Sequence, residues 1–146
     1  MDRVLELVEC LNCKDNSIAC NAMKLLEEES NKNELVYKYF DRFVEMLHSK
    51  NSYVRNRGLT LIEANAKWDI NNKIDGIIDE YLKHIIDVKP ITSRQCIKGL
   101  IKIAKYKPDL CYDIKKALQG ADVTRYSDSM QSLLYKDIVN AIKEIG

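Results

Sequence analysis

The chain has 146 residues, of which 46% are hydrophobic and 31% are charged, and its formal net charge at pH 7 is +1. This length and composition predict one globular domain with a sizeable core and argue against a disordered chain. The near-neutral total gives no overall attraction to nucleic acid or to an anionic membrane. Charge does divide along the chain, because residues 1–50 hold 7 Lys/Arg against 10 Asp/Glu and residues 51–146 hold 16 against 12.

The sequence also bears on the compartment in which the protein works. No apolar run approaches the roughly 20 residues that a transmembrane helix requires. Acidic residues interrupt the apolar ones in residues 1–9, unlike in a secretory signal. We therefore expect a cytoplasmic protein whose 5 cysteines are reduced thiols.

Apolar residues recur at helical spacing along nearly the whole chain, and this pattern predicts eight helices. Asn16 and Ser17 favour the start of the second helix, residues 31–33 its end, and residues 49–52 the break before the fourth. The apolar stripes of the first four predicted helices cover residues 4–11, 18–26, 35–47 and 54–65.

The second half continues the pattern and adds proline and glycine signals. Pro90 is expected to end the fifth helix, because proline lacks the N–H that a helix interior uses. Pro108 suits the first turn of the seventh helix, Gly120 ends it, and Ser127 or Asp128 caps the eighth. Sustained alternation of period two is absent from the sequence, so we expect no sheet. The last four predicted helices cover residues 70 to about 88, 92 to about 106, 109 to 118 and 128 to 145.

Two stretches of the chain superimpose at an offset of 36 residues, residues 11–27 on residues 47–63. Self-similarity at such a period predicts a repeat architecture, in which each unit buries its apolar face by stacking on its neighbours. The matched positions include Ile18 with Val54, Ala22 with Gly58, Leu25 with Leu61 and Leu26 with Ile62. The eight helices then pair into four hairpins, with approximate units 1–32, 33–69, 70–106 and 107–146.

The most specific pattern lies in residues 51–65, which begin with a short Asn-containing turn. Val54 and Arg55 are followed by a small residue, Gly58, and then by apolar residues at 59 and 62. This segment resembles the second helix of a HEAT repeat, in which the small residue lets neighbouring helices approach closely. The resemblance implies an all-α, right-handed α-solenoid of about four HEAT-like hairpins, with armadillo-like or other helical-hairpin solenoids as alternatives.

The resemblance also suggests which surface is used. In HEAT-like stacks the second helices line the concave side, and helical spacing brings a stripe of charged side chains to that side. Such a stripe could dock a protein segment, whereas the simpler interpretation is a solvated helix face. The candidate partner-binding residues are Arg57, Arg94, Lys98, Lys102, Lys105, Glu27, Glu28 and Glu63.

The sequence contains no phosphate-binding loop, dinucleotide fingerprint, zinc-protease motif or nucleophile elbow. We therefore expect a non-enzymatic, protein-binding adaptor or scaffold without a cofactor or metal, as a monomer or weak homo-oligomer. The alternative is a nucleic-acid-binding HEAT-like protein that uses the basic stripe of the third repeat. Such a protein would resemble, distantly, the bacterial HEAT-like DNA glycosylases, with Trp68 and Asp69 as candidate residues. A tryptophan that seals the hairpin loop is the favoured interpretation.

Cys10 and Cys13 form a Cys-x-x-Cys pair, with Cys20 seven residues further on. A structural zinc site needs four ligands, and the sequence offers no second such pair, while His48 and His84 are remote in sequence. A thioredoxin-type redox motif needs a βαβ unit, which this pattern does not predict. Helix packing is therefore the favoured role of these cysteines.

Overall fold

The computed structural model describes residues 2–146; residue 1, the first of the predicted unit 1–32, lies outside the described residues. No strand occurs in residues 2–146, which confirms the predicted all-α fold with eight helices. None of these helices combines the length and the apolar composition that crossing a bilayer requires. Short 3-10 turns precede α3 and α7 and follow α4 and α5. The helices are α1 (Arg3–Cys10), α2 (Asn16–Lys32), α3 (Phe40–Met46), α4 (Ser52–Ala64), α5 (Lys73–Leu82), α6 (Pro90–Tyr106), α7 (Cys111–Gln119) and α8 (Asp128–Ile145).

The even-numbered helices pack side by side in chain order: α2 contacts α4, α4 contacts α6, and α6 contacts α8. Each also packs on the element before it, α2 on α1, α4 on α3, α8 on α7, and α6 on the 3-10 turn Lys83–Ile86 that continues α5. The inner helices α4 and α6 are therefore covered on more than one side. Large, fully buried side chains of the middle of the chain include Phe40, Phe43, Leu59, Leu61, Ile62, Tyr81, Ile97 and Leu100.

The 36-residue period reappears in the turns that precede α2, α4 and α6. Asp15, Asn51 and Asp87 are spaced by 36 residues. The side chain of each accepts the backbone N–H two residues further on, at 2.9 Å in all three cases. In α2 and α4 this N–H belongs to the first turn of the helix and would otherwise have no partner, whereas before α6 it belongs to Lys89, the residue that precedes the helix. The period therefore records a shared turn chemistry as well as a shared apolar stripe.

Two predicted helix starts were wrong. Asp15, rather than Asn16 or Ser17, caps α2. Pro90 begins α6 instead of ending the fifth helix. Proline suits the first helical position because the N–H that it lacks has no intrahelical partner there, and because its φ is already close to the helical value.

The fifth helix is shorter than the predicted span of residues 70 to 88, since α5 covers only Lys73–Leu82. The carboxylate of Asp69 accepts the N–H groups of Lys73 and Ile74 at 2.9 and 3.0 Å, which starts the helix there. Asn72, just before it, has a left-handed backbone with φ 53°. Ile70 consequently lies in the turn and is 86% exposed, although the apolar pattern had included it in the helix.

Gly58 lies where α4 crosses α3, as predicted for the small residue of the repeat. A Cβ at this position would lie 2.8 Å from Phe43 O and 2.9 Å from Met46 Cβ. We expect Gly58→Ala to lower the free energy of unfolding by about 1–3 kcal/mol, because this overpacking outweighs the gain in helix propensity of about 1 kcal/mol. Urea unfolding would measure the change.

Gly76 provides the matched control, because it lies inside α5 and a Cβ there would meet no atom within 4 Å. Gly76→Ala should therefore raise the free energy of unfolding by about 0.5–1 kcal/mol. Equal effects of the two substitutions would contradict the close approach of α3 and α4 at Gly58.

Candidate binding groove

A groove crosses the even-numbered helices and has three compartments that adjoin at Gln95 of α6. Their volumes are about 560 Å³ beside α2 and α4, about 790 Å³ in the middle and about 380 Å³ beside α6 and α8. The middle one, called here the central compartment, receives side chains from all four even-numbered helices. It is lined by Met23, Glu27, Thr60, Glu63, Gln95, Lys98, Ile101, Lys102, Ala104, Lys105, Glu144 and Ile145.

Glu63 of α4 lines the central compartment and is only 7% exposed. Within residues 2–146 its carboxylate forms no hydrogen bond and no ion pair. Burial raises the pKa of Glu63 to about 7, an effect that Lys102 and Lys98 oppose and Glu27 reinforces. The compartment thus contains a buried carboxyl group that changes charge near neutral pH and has no partner in the fold.

Gly99 of α6 makes room for Glu63 and its neighbour. A Cβ at residue 99 would overlap the hydroxyl of Tyr81 and lie 3.2 Å from Glu63 Oε2. Tyr81 of α5 is fully buried, and burial raises the pKa of its phenol, so it stays neutral. Its hydroxyl donates to Leu59 O at 3.3 Å. The wall behind Glu63 is therefore neutral and already hydrogen-bonded, and it supplies no counter-charge.

Three lysines of α6 form the basic side of the central compartment. Lys98 and Lys105 are exposed and Lys102 is half-buried. None of the three forms an ion pair with a carboxylate of residues 2–146. The Nζ atom of Lys105 lies 5.3 Å from the ring centroid of Tyr106, within cation–π range. These ammonium groups are therefore available to acidic groups of a partner.

The raised pKa of Glu63 predicts a pH-dependent stability. Its folded pKa of about 7 lies above the ordinary value of 4.5. The folded state therefore holds this proton more tightly, and stability falls as pH rises from about 4.5 to about 7. We expect this group alone to lower the free energy of unfolding by about 2–3 kcal/mol between about pH 5 and about pH 8. Glu63→Gln should remove that fall and be more stable than the wild type at about pH 8.

Urea unfolding of both proteins across this pH range would measure the difference. Glu28→Gln is the control, because Glu28 is exposed on α2 and lines none of the three compartments. A wild type and a Glu63→Gln variant with parallel pH profiles would mean that Glu63 ionises as an ordinary surface carboxylate.

Two of the remaining candidate residues lie at or beyond the edge of the groove. Arg94 lines the compartment beside α8 and pairs with Asp137, with Nε–Oδ2 at 2.6 Å and Nη2–Oδ1 at 3.3 Å. Glu28 is exposed and lines none of the three compartments. The structure brings the other acidic and basic candidates apart from Arg57 together in the central compartment: Glu27, Glu63, Lys98, Lys102 and Lys105. That these residues bind a partner stays a prediction.

Arg57 has a different environment from the other basic candidates. It borders the compartment beside α2 and α4, but it is only 4% exposed. Its Nη1 donates to Leu11 O at 3.2 Å and its Nη2 to Asn16 Oδ1 at 3.0 Å. The guanidinium therefore ties α4 to the turn between α1 and α2.

Several groove residues were missed by sequence reasoning. Gln95 precedes Lys98 and Lys102 by three and seven positions, so the helical spacing that identified the lysines also contained it. Glu144 comes from α8, from which the predicted charged stripe included no residue. The apolar residues Met23 and Ile101 are only half-buried, and they supply apolar surface to the central compartment.

Trp68 joins two neighbouring hairpins, and Asp69 joins the two ends of the second hairpin. Trp68 Nε1 donates to Ser30 O at 2.7 Å, which links the end of the second hairpin to α2. Asp69 is 5% exposed and accepts a hydrogen bond from the Tyr37 hydroxyl at 2.5 Å. These contacts support the interpretation that Trp68 seals the hairpin loop.

All five cysteines are free thiols. Cys96 is fully buried and its thiol donates to Tyr81 O at 3.3 Å, while Cys10 and Cys13 are half-buried near the end of α1. In residues 2–146 no three His, Cys, Asp or Glu side chains cluster in a way that could hold a metal ion.

No protein-family model matches this chain, and no curated protein sequence matches it. Among solved structures, the chain is similar to the crystal structure of an engineered protein from the Northeast Structural Genomics Consortium, with a TM-score of 0.59 and 19% sequence identity. The match covers 99% of this chain and 67% of the engineered chain. At this identity the similarity concerns the fold alone.

Proposed function

We propose that this protein is a non-enzymatic adaptor or scaffold that holds a protein segment along the groove of its even-numbered helices. In this proposal the four hairpins form a right-handed, HEAT-like α-solenoid with the groove on its concave side. The order of contacts from α2 through α4 and α6 to α8 supports that arrangement. In this proposal the protein works in the cytoplasm, where its free thiols would stay reduced, as a monomer or weak homo-oligomer.

The observation that carries the proposal is the set of unpaired charges in the central compartment. Glu63 and three lysines of α6 carry no ion pair in residues 2–146, although oppositely charged groups lie in the same recess. Charges of both signs held on helices, beside half-buried apolar side chains, suit a mixed-charge segment better than a uniform polyanion. Charge complementarity of this kind sets register and partner choice.

Reversing two of the lysines tests the proposal. The variant Lys98→Glu/Lys102→Glu should bind the partner at least about tenfold more weakly than the wild type, because the α6 wall would repel acidic groups that it now attracts. The partner would be isolated on immobilised wild-type protein from nuclease-treated lysate, purified, and its Kd measured for each variant.

Lys136→Glu/Lys143→Glu is the matched control, because both lysines are exposed on α8 and neither lines the groove. It should bind as the wild type does. Equal losses in the two double variants, or no loss in either, would reject the groove as the binding surface.

Nucleic-acid binding is the second candidate, and the row of unpaired lysines on α6 favours it. It predicts recovery of only nuclease-sensitive material, with an affinity that falls steeply as salt rises. Two features weigh against it: Glu27, Glu63 and Glu144 share the compartment with the lysines, and Arg94 is already paired with Asp137.

A further inference from the structure

We propose that Glu63 is the receptor for one basic side chain, a lysine or arginine, of the segment held in the central compartment. The proposal deepens the adaptor function and rests on it, because it specifies which chemistry the bound segment must present. It identifies the partner as a segment in which a basic residue is flanked by acidic ones.

The first step is a comparison of the buried acids. The described chain contains three, Glu63, Asp69 and Asp87. Asp87 is bound by Arg55 at 2.8 Å, and Asp69 lies 3.3 Å from the ammonium of Lys107. Glu63 alone has no cation. Glu63 is therefore the buried acid of the described residues whose ionised form lacks a cation, and a group supplied from outside the chain would pair that form.

The second step is access. The groove opens onto Glu63, whereas the side chains of Asp69 and Asp87 are 0% and 3% exposed and line none of the three compartments. The half-buried side chains of Met23 and Ile101 and the buried Ala104 border the same compartment. Lysine and arginine carry a long aliphatic stem before the charge, so an apolar border beside a carboxylate matches both parts of such a side chain.

The third step is the charge around Glu63. Glu27 faces it from α2, Lys98 and Lys102 from α6, and the neutral phenol of Tyr81 lies behind it from α5. Glu144 of α8 and Lys105 of α6 line the same compartment. A cation placed between Glu63 and Glu27 would meet two carboxylates, and acidic neighbours of that cation would meet the lysines. The arrangement therefore selects a basic residue within an acidic context.

The binding of a cation at Glu63 is also expected to depend on pH. A cation favours the ionised carboxylate, so binding releases the proton that Glu63 holds near neutral pH. Affinity for the basic side chain is therefore expected to rise with pH through about 7 and to level off above it.

A small probe tests the site directly. The full chain, labelled at the glutamate carboxyl carbons, would be titrated by NMR with butylguanidinium, with butylammonium and with the neutral pentanamide. The Glu63 resonance is assigned by its loss in Glu63→Gln.

We expect both cations to shift this resonance with millimolar affinity and to lower the pKa of Glu63, and the amide to do neither. Glu63→Gln should weaken binding of both cations at least about tenfold, and Glu28→Gln should not change it. The proposal would be overturned if neither cation changed the chemical shift or the pKa of Glu63. It would also be overturned if Glu63 had an ordinary carboxyl pKa, which would reveal an internal ion pair with Lys102.

The partner isolated on the wild-type protein separates this inference from the adaptor function. If Lys98→Glu/Lys102→Glu loses that partner but Glu63→Gln binds it with wild-type Kd at about pH 8, the groove binds proteins and the cation receptor is wrong. If the alkyl cations bind at Glu63 but both double lysine variants retain the partner equally, the cation site stands and the adaptor groove is wrong. Loss of the partner in Glu63→Gln, with the loss growing as pH rises, supports both.

Discussion

Arg55→Ala should lower the free energy of unfolding by about 3–5 kcal/mol, because it removes the guanidinium from a buried carboxylate and leaves that carboxylate only the His84 ring and the Lys89 N–H. The Arg55 side chain is 8% exposed and that of Asp87 is 3% exposed. Nε and Nη2 of Arg55 donate to the two carboxylate oxygens at 2.9 and 2.8 Å, and Nη1 donates to Ser49 O at 3.0 Å. The pair joins α4 to the turn that begins α6. Equilibrium urea unfolding at neutral pH would measure the loss.

Arg94→Ala is the matched control for burial, since Arg94 and Asp137 form the same kind of bidentate pair with side chains 44% and 26% exposed. Its effect should stay below about 1 kcal/mol, because water already solvates both groups. Comparable losses in Arg55→Ala and Arg94→Ala would show that burial does not govern the strength of these pairs.

The same pair has a pH signature. Burial alone would raise the pKa of Asp87, but hydrogen bonds from His84, Arg55 and the Lys89 N–H hold that pKa well below its ordinary value of 3.8. A depressed folded pKa stabilises the protein above the ordinary value, and this stability is lost as pH falls below it. The acid-induced loss of stability below about pH 4 should therefore be shallower in Arg55→Ala than in the wild type.

Asp69→Ala should lower the free energy of unfolding by at least about 3 kcal/mol, because one carboxylate serves four groups. Oδ1 accepts the Tyr37 hydroxyl at 2.5 Å and the Lys73 N–H at 2.9 Å. Oδ2 accepts the Ile74 N–H at 3.0 Å and lies 3.3 Å from Lys107 Nζ. Removing it takes the cap from α5 and leaves buried donors without an acceptor. Thermal and urea unfolding would both report the change.

Asp75→Ala is the control, because Asp75 binds the same Lys107 at 2.9 Å but its side chain is 36% exposed. It should cost no more than about 1 kcal/mol. A smaller effect for Asp69→Ala than for Asp75→Ala would contradict the capping role.

The comparison also matters for the nucleic-acid alternative, because any activity lost in Asp69→Ala has to be corrected for the fraction of unfolded protein.

The parts of the fold that follow from local chemistry could be predicted from the sequence. The apolar stripes identified eight helices. The small residue at position 58 predicted the close approach of α3 and α4, where a Cβ would lie 2.8 Å from Phe43 O. The predicted fifth helix was too long because the Asp69 carboxylate caps α5 at Lys73. The prediction for Pro90 was wrong because a proline at the first helical position needs no N–H there. Local pattern located the helices, and capping contacts set their ends.

The site was harder to predict, because helical spacing gives the direction of a side chain but not what it meets. Arg57 and Glu63 were placed on one solvated stripe with Lys98, yet both are buried, since α4 lies between α2 and α6. Arg57 donates to acceptors in the first hairpin, whereas the Glu63 carboxylate has no donor or cation among residues 2–146. That difference depends on contacts between residues more than 40 positions apart, such as Arg57 with Leu11, and such contacts have no signal in a 36-residue pattern.

The side-by-side order of the even-numbered helices also sets where the molecule is weakest. The inner helices α4 and α6 each have an even-numbered neighbour on both sides and share the buried Arg55–Asp87 junction, whereas α2 and α8 each have one on a single side. Local opening therefore begins at the two ends of the row and reaches the middle last. A segment lying across the whole groove would contact both ends of the row, so its binding would slow the local opening of α2 and α8.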